Sequence, residues 1–290
     1  MTQYAPIAVF AYRRARGLAL TLDALERCPE YAQSQVYVFS DGASNERARR
    51  DVEDVRKVLH QRKTPNMTVF ESPQNKGLAR SIIEGVTQLC DEHGRVIVME
   101  DDLIASPVML TWMNQALDAY QDDAQVMQVS AHTHRDPEFV RRSHGHFLPF
   151  TTTWGWATWK RAWDKFDTHA SGWEELASNA ELSHAFDLNG AYPYAQMMRN
   201  QMDGRADSWG IRWYWSVFRN QGLVLFPPET MIFNRGADTK ATHGMKSLFL
   251  ANLRPNVRKL RRTLPDLPQS VSMRPEDLAI ASRAIRARRF

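Results

Sequence analysis

In RVIVMEDDLIASP (95–107), a block of apolar residues runs straight into three carboxylates, Glu100, Asp101 and Asp102. Adjacent like charges repel, and three of them at the end of a buried segment cost stability unless something neutralises them. A hard divalent cation does this well. Mg2+ takes oxygen ligands from one or two carboxylates and from phosphate groups, and Mn2+ suits the same donors. The triplet therefore points to metal-assisted chemistry on a diphosphate. The plainer alternative is that one carboxylate caps a helix starting near Pro107 while the others face water.

Other residues have chemistry to offer. Arg13 and Arg14 in AYRRARG could fork onto phosphate oxygens or touch a base or ribose, and the sequence does not choose between them. Lys76 and Arg80 flank Gly77 at the start of a helical pattern, where an anion site or a solvated cap would both fit. Asp41 in FSDGAS could accept hydrogen bonds from a ligand or simply make an Asp-Gly turn. Trp154, Trp156 and Trp159 lie close together; a sugar ring stacks well on an indole, but a core role competes, and Trp159 is read as core. Trp154 or Trp156 is expected to line a pocket. His132 and His134 have the i, i+2 spacing of one strand face, with no clear third metal ligand nearby.

The elements that must position these residues follow from hydrophobic pattern. Short β-branched and aromatic runs begin at Ile7, Val36, Met67 and Val96, about 30 residues apart, with helical patterns at Leu18–Arg27, Glu46–Gln61 and Leu78–Glu92 between them. Alternating strands and helices predict an α/β domain with a mostly parallel sheet. In such a sheet ligands bind beyond the carboxyl ends of the strands, which is where the acidic triplet falls. Farther on, strands are expected at 124–131 and on either side of the Pro-Pro break in LVLFPPETMIF. Helices are expected near 173–178, 193–201, 208–220 and 275–289.

Composition bounds the rest. The 290 residues are 43% hydrophobic and 24% charged, an ordinary globular balance. The formal net charge is +4, but residues 251–290 hold ten Lys or Arg against three Asp or Glu, so the body is slightly acidic and the tail basic. That tail could dock on an anionic membrane surface or pack back on the body; no nucleic-acid motif accompanies it. Two cysteines, Cys28 and Cys90, with no CxxC, predict buried reduced thiols rather than zinc or a disulfide framework. No signal peptide and no membrane span are read, so a cytoplasmic place is expected, peripheral at the inner membrane face if the tail docks there.

VIVMEDDLIASP resembles the Glu-Asp-Asp form of the acidic motif of GT-A glycosyltransferases, specifically that of the N-acetylglucosaminyltransferase I family and related bacterial sugar transferases. IAVFAYRRARGLALTLDAL, VYVFSDGASNE, SPQNKGLARSIIEGV, TTTWGWATWKRAWDKFD and NRGADTKATHG resemble further segments of that group, in the same order, over roughly residues 6–245. The resemblance implies a Rossmann-like GT-A domain at 1–250, with a nucleotide-donor half at 1–105, an acceptor half at 106–250 and a basic helical tail at 251–290. It implies transfer of a sugar from a nucleotide donor, most often a UDP-sugar, to a glycan or lipid-linked oligosaccharide hydroxyl with inversion, as in bacterial surface polysaccharide synthesis.

The same resemblance assigns roles. Asp102 would be the direct metal ligand, for Mn2+ or Mg2+, completed by His243. Glu100 and Asp101 would contact ribose, metal-bound water or sugar, and Asp41 would accept from the nucleobase. Asp207, two residues before Trp209, would be the base, with Asp203 as runner-up; the adjacent second Asp of the family is missing here, and Asp207 also reads as a helix N-cap. A sugar nucleotidyltransferase would need a Gly-rich loop after the first strand, and FAYRRARGLAL has one glycine. A non-catalytic binding module would have no need of the intact triplet.

Overall fold

The computed structural model describes residues 4–235 and 260–287. Strands β1 (Ile7–Ala11), β2 (Val36–Ser40), β3 (Met67–Glu71) and β4 (Arg95–Glu100) alternate with helices α1 (Ala15–Leu25), α2 (Glu46–Gln61) and α3 (Leu78–His93). These follow the predicted rhythm, with α1 starting three residues early. Asn45 starts α2 by accepting from the Ala48 N–H, and Gly94, in the left-handed region at φ 75°, ends α3.

The second half is more broken than its sequence suggested. It holds β5 (Leu103–Ala105), α4 (Met109–Ala119), β6 (Val126–Ser130), α5 (Pro137–Val140), β7 (His146–Leu148) and β8 (Trp156–Trp159). Then come α6 (Lys160–Trp163), α7 (Glu175–Ser178), α8 (Ala180–Phe186), α9 (Tyr194–Met202), α10 (Trp209–Arg219), β9 (Leu223–Phe226), β10 (Ile232–Asn234) and α11 (Pro275–Ala287).

Eight strands form one sheet in the order β3-β2-β1-β4-β8-β6-β9-β7, and β10 pairs with β5 in a second, two-stranded one. The first four are mutually parallel, and β6 is parallel to β9. β8 runs antiparallel between β4 and β6, and β7 antiparallel to β9. The carboxyl ends of β1, β4 and β6 and the amino end of β8 therefore share one edge.

Helices cover both faces, so the central strands are apolar on both sides. On β1, Ile7, Val9 and Ala11 face a core with α1, α2 and α4, while Ala8 and Phe10 face one with α3, α9 and α10. Helix α11 belongs to the second core through Ile280, Ala281, Ala284 and Ile285. Two of its arginines are drawn to the body, Arg283 to Asp136 and Glu138 and Arg286 to the Asn189 carbonyl, while its own buried Asp277 receives Arg142 of the body and Arg274 just before the helix. Cys28 and Cys90 are free and buried, and burial pushes their thiols up to about 11 and about 12. Among the described residues no helix is long and apolar enough to cross a membrane.

His146 on β7 gives this core a pH dependence. Its ring stacks on Phe139 at 3.9 Å and lies 6.0 Å from Phe226, and neither ring nitrogen has a hydrogen-bond partner. Burial lowers its pKa to about 3, against Asp277, which favours the charged form; Arg142, His144 and Arg274 add to the lowering. The unfolded chain protonates this imidazole near pH 6.5 and the folded chain near 3, so the unfolded state binds more protons between those values. Stability should fall as pH drops through that window, by about 1.4 kcal/mol per unit. Denaturant melts of His146→Phe between pH 6.5 and 4 are expected to show a shallower pH slope than wild type; equal slopes would refute this.

Candidate functional site

The chain leaves β1 toward β2 on one side and returns in β4 on the other. The loops after β1 and β4 consequently diverge and leave a crevice at this switch point. The β1 loop brings Tyr12, Arg13 and Arg14; the end of β4 brings Glu100, Asp101 and Asp102.

Asp101 is pinned. Its Oδ2 accepts from the Tyr12 N–H at 3.0 Å and its Oδ1 from Arg14 Nη1 at 3.2 Å. The same Arg14 nitrogen donates to Asp102 Oδ2 at 2.8 Å, while Asp102 Oδ1 is buried with no hydrogen-bond partner among the described residues. The side chains of Arg14, Asp101 and Asp102 are only 19%, 6% and 9% exposed. Burial, then the charges of Asp102 and Asp101, push Glu100 up to about 8. Burial likewise raises Asp102 to about 6, with Arg14 pulling the other way. One guanidinium is too little for three carboxylates. Arg13 does not help: it lies over the Tyr12 ring at 5.0 Å, so the structure separates the two arginines.

Two features no motif signalled shape this crevice. Gly17, the single glycine of AYRRARG, lets α1 press against the Asp101 carbonyl; a Cβ there would lie 2.6 Å from that oxygen. Gly17→Ala should therefore displace the triplet, costing about 1–3 kcal/mol in thermal melts and more than tenfold in donor turnover. Turnover within twofold of wild type would refute it. The Arg235 N–H donates to the Asp102 carbonyl at 2.8 Å, so β10 delivers the start of NRGADTKATHG to the triplet. His243 lies outside the described residues.

Asp41 is placed differently from the expectation of a nucleobase acceptor. Its two oxygens accept from the N–H groups of Gly42, Lys76 and Gly77 and from Asn75 Nδ2, all at 2.8–3.0 Å. A carboxylate has about four acceptor positions, and here they tie the β2 loop to the entry of α3. Gly42 permits this, since a Cβ would meet the Gln74 carbonyl carbon at 2.4 Å. Lys76 and Arg80 both bind Glu84, at 2.7 and 2.5 Å, on the exposed side of α3. As placed, they form a surface cluster rather than an open anion site.

Among the tryptophans, Trp156 corrects its prediction. It is fully buried, stacked 5.3 Å from Trp209 and tilted 5.8 Å from Trp163, because residues alternate along β8 and its position faces the second core. Trp159 is core as expected, its N–H on the Leu117 carbonyl. Trp154 precedes β8, is only partly buried and packs against His132 with ring centroids 4.6 Å apart. His132 and His134 follow β6 at the same sheet edge as the triplet. Trp209 on Trp156, and Gly210 against Thr153, bring the start of α10 to that edge too. Asp207 lies just before it, 69% exposed and 3.5 Å from Arg212. The cap of α10 is Ser208, which accepts from Ile211 N–H, so the reading of Asp207 as cap is corrected and its carboxylate faces outward. Asp203 closes α9 and pairs with Arg205.

The donor set fits a hard cation: Asp102 offers a buried oxygen with nothing bound to it. Among the described residues no three His, Cys, Asp or Glu side chains converge to cage a metal. An ion held here would take few ligands from the described residues, leaving positions for phosphate oxygens.

Over residues 5–215 the chain matches the family described as Glycosyltransferase like family 2. It belongs to that family. The chain has the expected GT-A plan, a mostly parallel sheet flanked by helices. No curated protein matches the chain. Similar solved structures include the mannosyltransferase PcManGT from Pyrobaculum calidifontis with GDP-Man and Mn2+, at 19% identity, covering 53% of this chain and 45% of that one, with a TM-score of 0.36. GalNAc-T7 with UDP, GalNAc and Mn2+ is 9% identical over 81% of this chain and 44% of that one, TM-score 0.46. Glucosyl-3-phosphoglycerate synthase from Mycobacterium tuberculosis with Mn2+ and UDP is 10% identical over 56% and 58%, TM-score 0.35. The chain thus spans about half the length of these chains, and at such scores they add no argument beyond the family match.

Proposed function

We propose that this chain is a metal-dependent transferase that moves a sugar from a nucleotide-sugar to a glycan hydroxyl with inversion, with Mn2+ or Mg2+ as its ion. The observation that carries this is the acidic triplet at the switch point, three carboxylates against one guanidinium, with one Asp102 oxygen open. Asp102 would hold the ion, and Asp101, pinned by Tyr12, sets the loop. When bound, the metal supplies a Lewis acid and counter-charge for the leaving diphosphate. UDP-sugars come first by likeness to the N-acetylglucosaminyltransferase I family, since Asp41 is engaged elsewhere.

The residues 1–105 form the donor half of this reading and 106–250 the acceptor half. Trp154 is the ring on which an acceptor sugar would lie. Asp207 takes the proton from the acceptor hydroxyl, whose oxygen attacks the anomeric carbon as the diphosphate leaves. Asp207→Asn should lower transfer by about 10²–10⁴-fold with little change in donor KM; the same loss for Asp203→Asn alone would move the role to Asp203. A lipid-linked oligosaccharide of a bacterial surface polysaccharide is the acceptor class. Arg283 and Arg286 are engaged with the body and Arg274 with Asp277 of the same helix, so for contact with an anionic membrane the reading takes the segment from Arg254 to Arg262.

The test is release of nucleoside diphosphate from UDP-, GDP- and dTDP-sugars with Mn2+, Mg2+ or EDTA. One donor turning over only with metal supports the reading; no turnover and no metal-dependent donor binding would remove it.

A further inference from the structure

Resting on that reading, we propose that Arg14 is the resident counter-cation of the triplet, and that a divalent ion takes Asp102 only as Arg14 leaves it for the diphosphate of the donor. A single Arg14 nitrogen bridges Asp101 at 3.2 Å and Asp102 at 2.8 Å. These are the only two acids it touches among the described ion pairs, and Asp102 is the one whose second oxygen is open. Asp101 would keep its Tyr12 N–H bond after Arg14 moved; the Asp102 side chain accepts from no other described residue besides Arg14 and its own backbone and would be freed to change partners. Arg14 precedes α1 in a non-helical backbone conformation, φ −112° and ψ 67°, so its side chain can swing without breaking the helix.

A cation on Asp102 would stand beside a guanidinium in a poorly solvated crevice, and the two repel. The guanidinium needs another anion, and diphosphate oxygens match its fork. Metal and nucleotide should then bind as a pair. Each raises the affinity for the other by the same factor, and part of that factor is the release of Arg14.

The experiment measures Mn2+ binding directly, by the electron paramagnetic resonance signal of free Mn2+, with no nucleotide and with saturating UDP or GDP. The proteins are wild type, Arg14→Gln, Arg14→Lys and Asp102→Asn. Wild type is expected to bind Mn2+ weakly alone and more tightly with one nucleotide. Arg14→Gln should bind Mn2+ alone at least tenfold more tightly than wild type, and gain less from nucleotide. Arg14→Lys, which keeps the charge and so protects the fold, should lie between them. Mn2+ binding that depends on Asp102 but is equal or weaker in both Arg14 variants would overturn this inference and leave the proposed function standing. Mn2+ binding that Asp102→Asn does not reduce, with or without nucleotide, would overturn both.

Discussion

Asp102→Ala is expected to lower sugar-donor turnover by roughly 10³-fold or more while leaving the fold intact. The catalytic loss follows from removing the carboxylate that pairs with Arg14 and still keeps an uncommitted oxygen. Stability should change by no more than about 1 kcal/mol, because Arg14 retains Asp101 and a buried charge is relieved. This separates Asp102 from Asp101, whose carboxylate ties Tyr12 and Arg14 to the loop. Asp101→Ala should lower both activity and melting temperature. The check is nucleoside diphosphate release beside thermal unfolding for both variants. Asp102→Ala retaining turnover within tenfold would mean that the open oxygen is no ligand and that the triplet only shapes the loop.

The second large effect is on stability. Trp156→Ala should cost about 3–5 kcal/mol, the usual price of deleting a buried aromatic side chain. Trp156 is fully buried among Trp209, Trp163 and Trp213. Its indole N–H has no hydrogen-bond partner, so Trp156→Phe gives up a group that is already unsatisfied and should cost much less. Trp154→Ala, at a partly buried ring beside His132, should do the reverse: small loss of stability and a raised acceptor KM. Denaturant midpoints with acceptor kinetics decide between them. A stable Trp156→Ala with a raised acceptor KM would return Trp156 to the pocket.

Much of the first half of the chain was legible because it is written in local pattern. The four strand starts, the helix at 46–61 and the position of the triplet after β4 all follow from runs whose side chains must be buried on both faces of a parallel sheet. The Trp-rich segment was not legible in the same way. Three tryptophans within six residues look alike in sequence, and only the pairing of β8 between β4 and β6 assigns Trp156 to the second core, Trp159 to the first and Trp154 to the loop before them. Asp41 differs from its reading for a related cause. Its partners at Asn75, Lys76 and Gly77 are more than 30 residues away, and no spacing rule announces a loop that crosses there.

By itself, then, the sequence determined the α/β class, the order of the βα units and the carboxyl-end placement of Glu100, Asp101 and Asp102, because these depend on periodicity and on adjacency along the chain. Tertiary structure decided which arginine meets the acids, which acid is pinned and which keeps an open oxygen, and that Gly17 must be small. Those are contacts across 80 or more residues, set by how β1 lies beside β4 and by how closely α1 can approach the loop. Residue types name the chemistry available, but the charge balance of the crevice exists only once the two loops have been brought together.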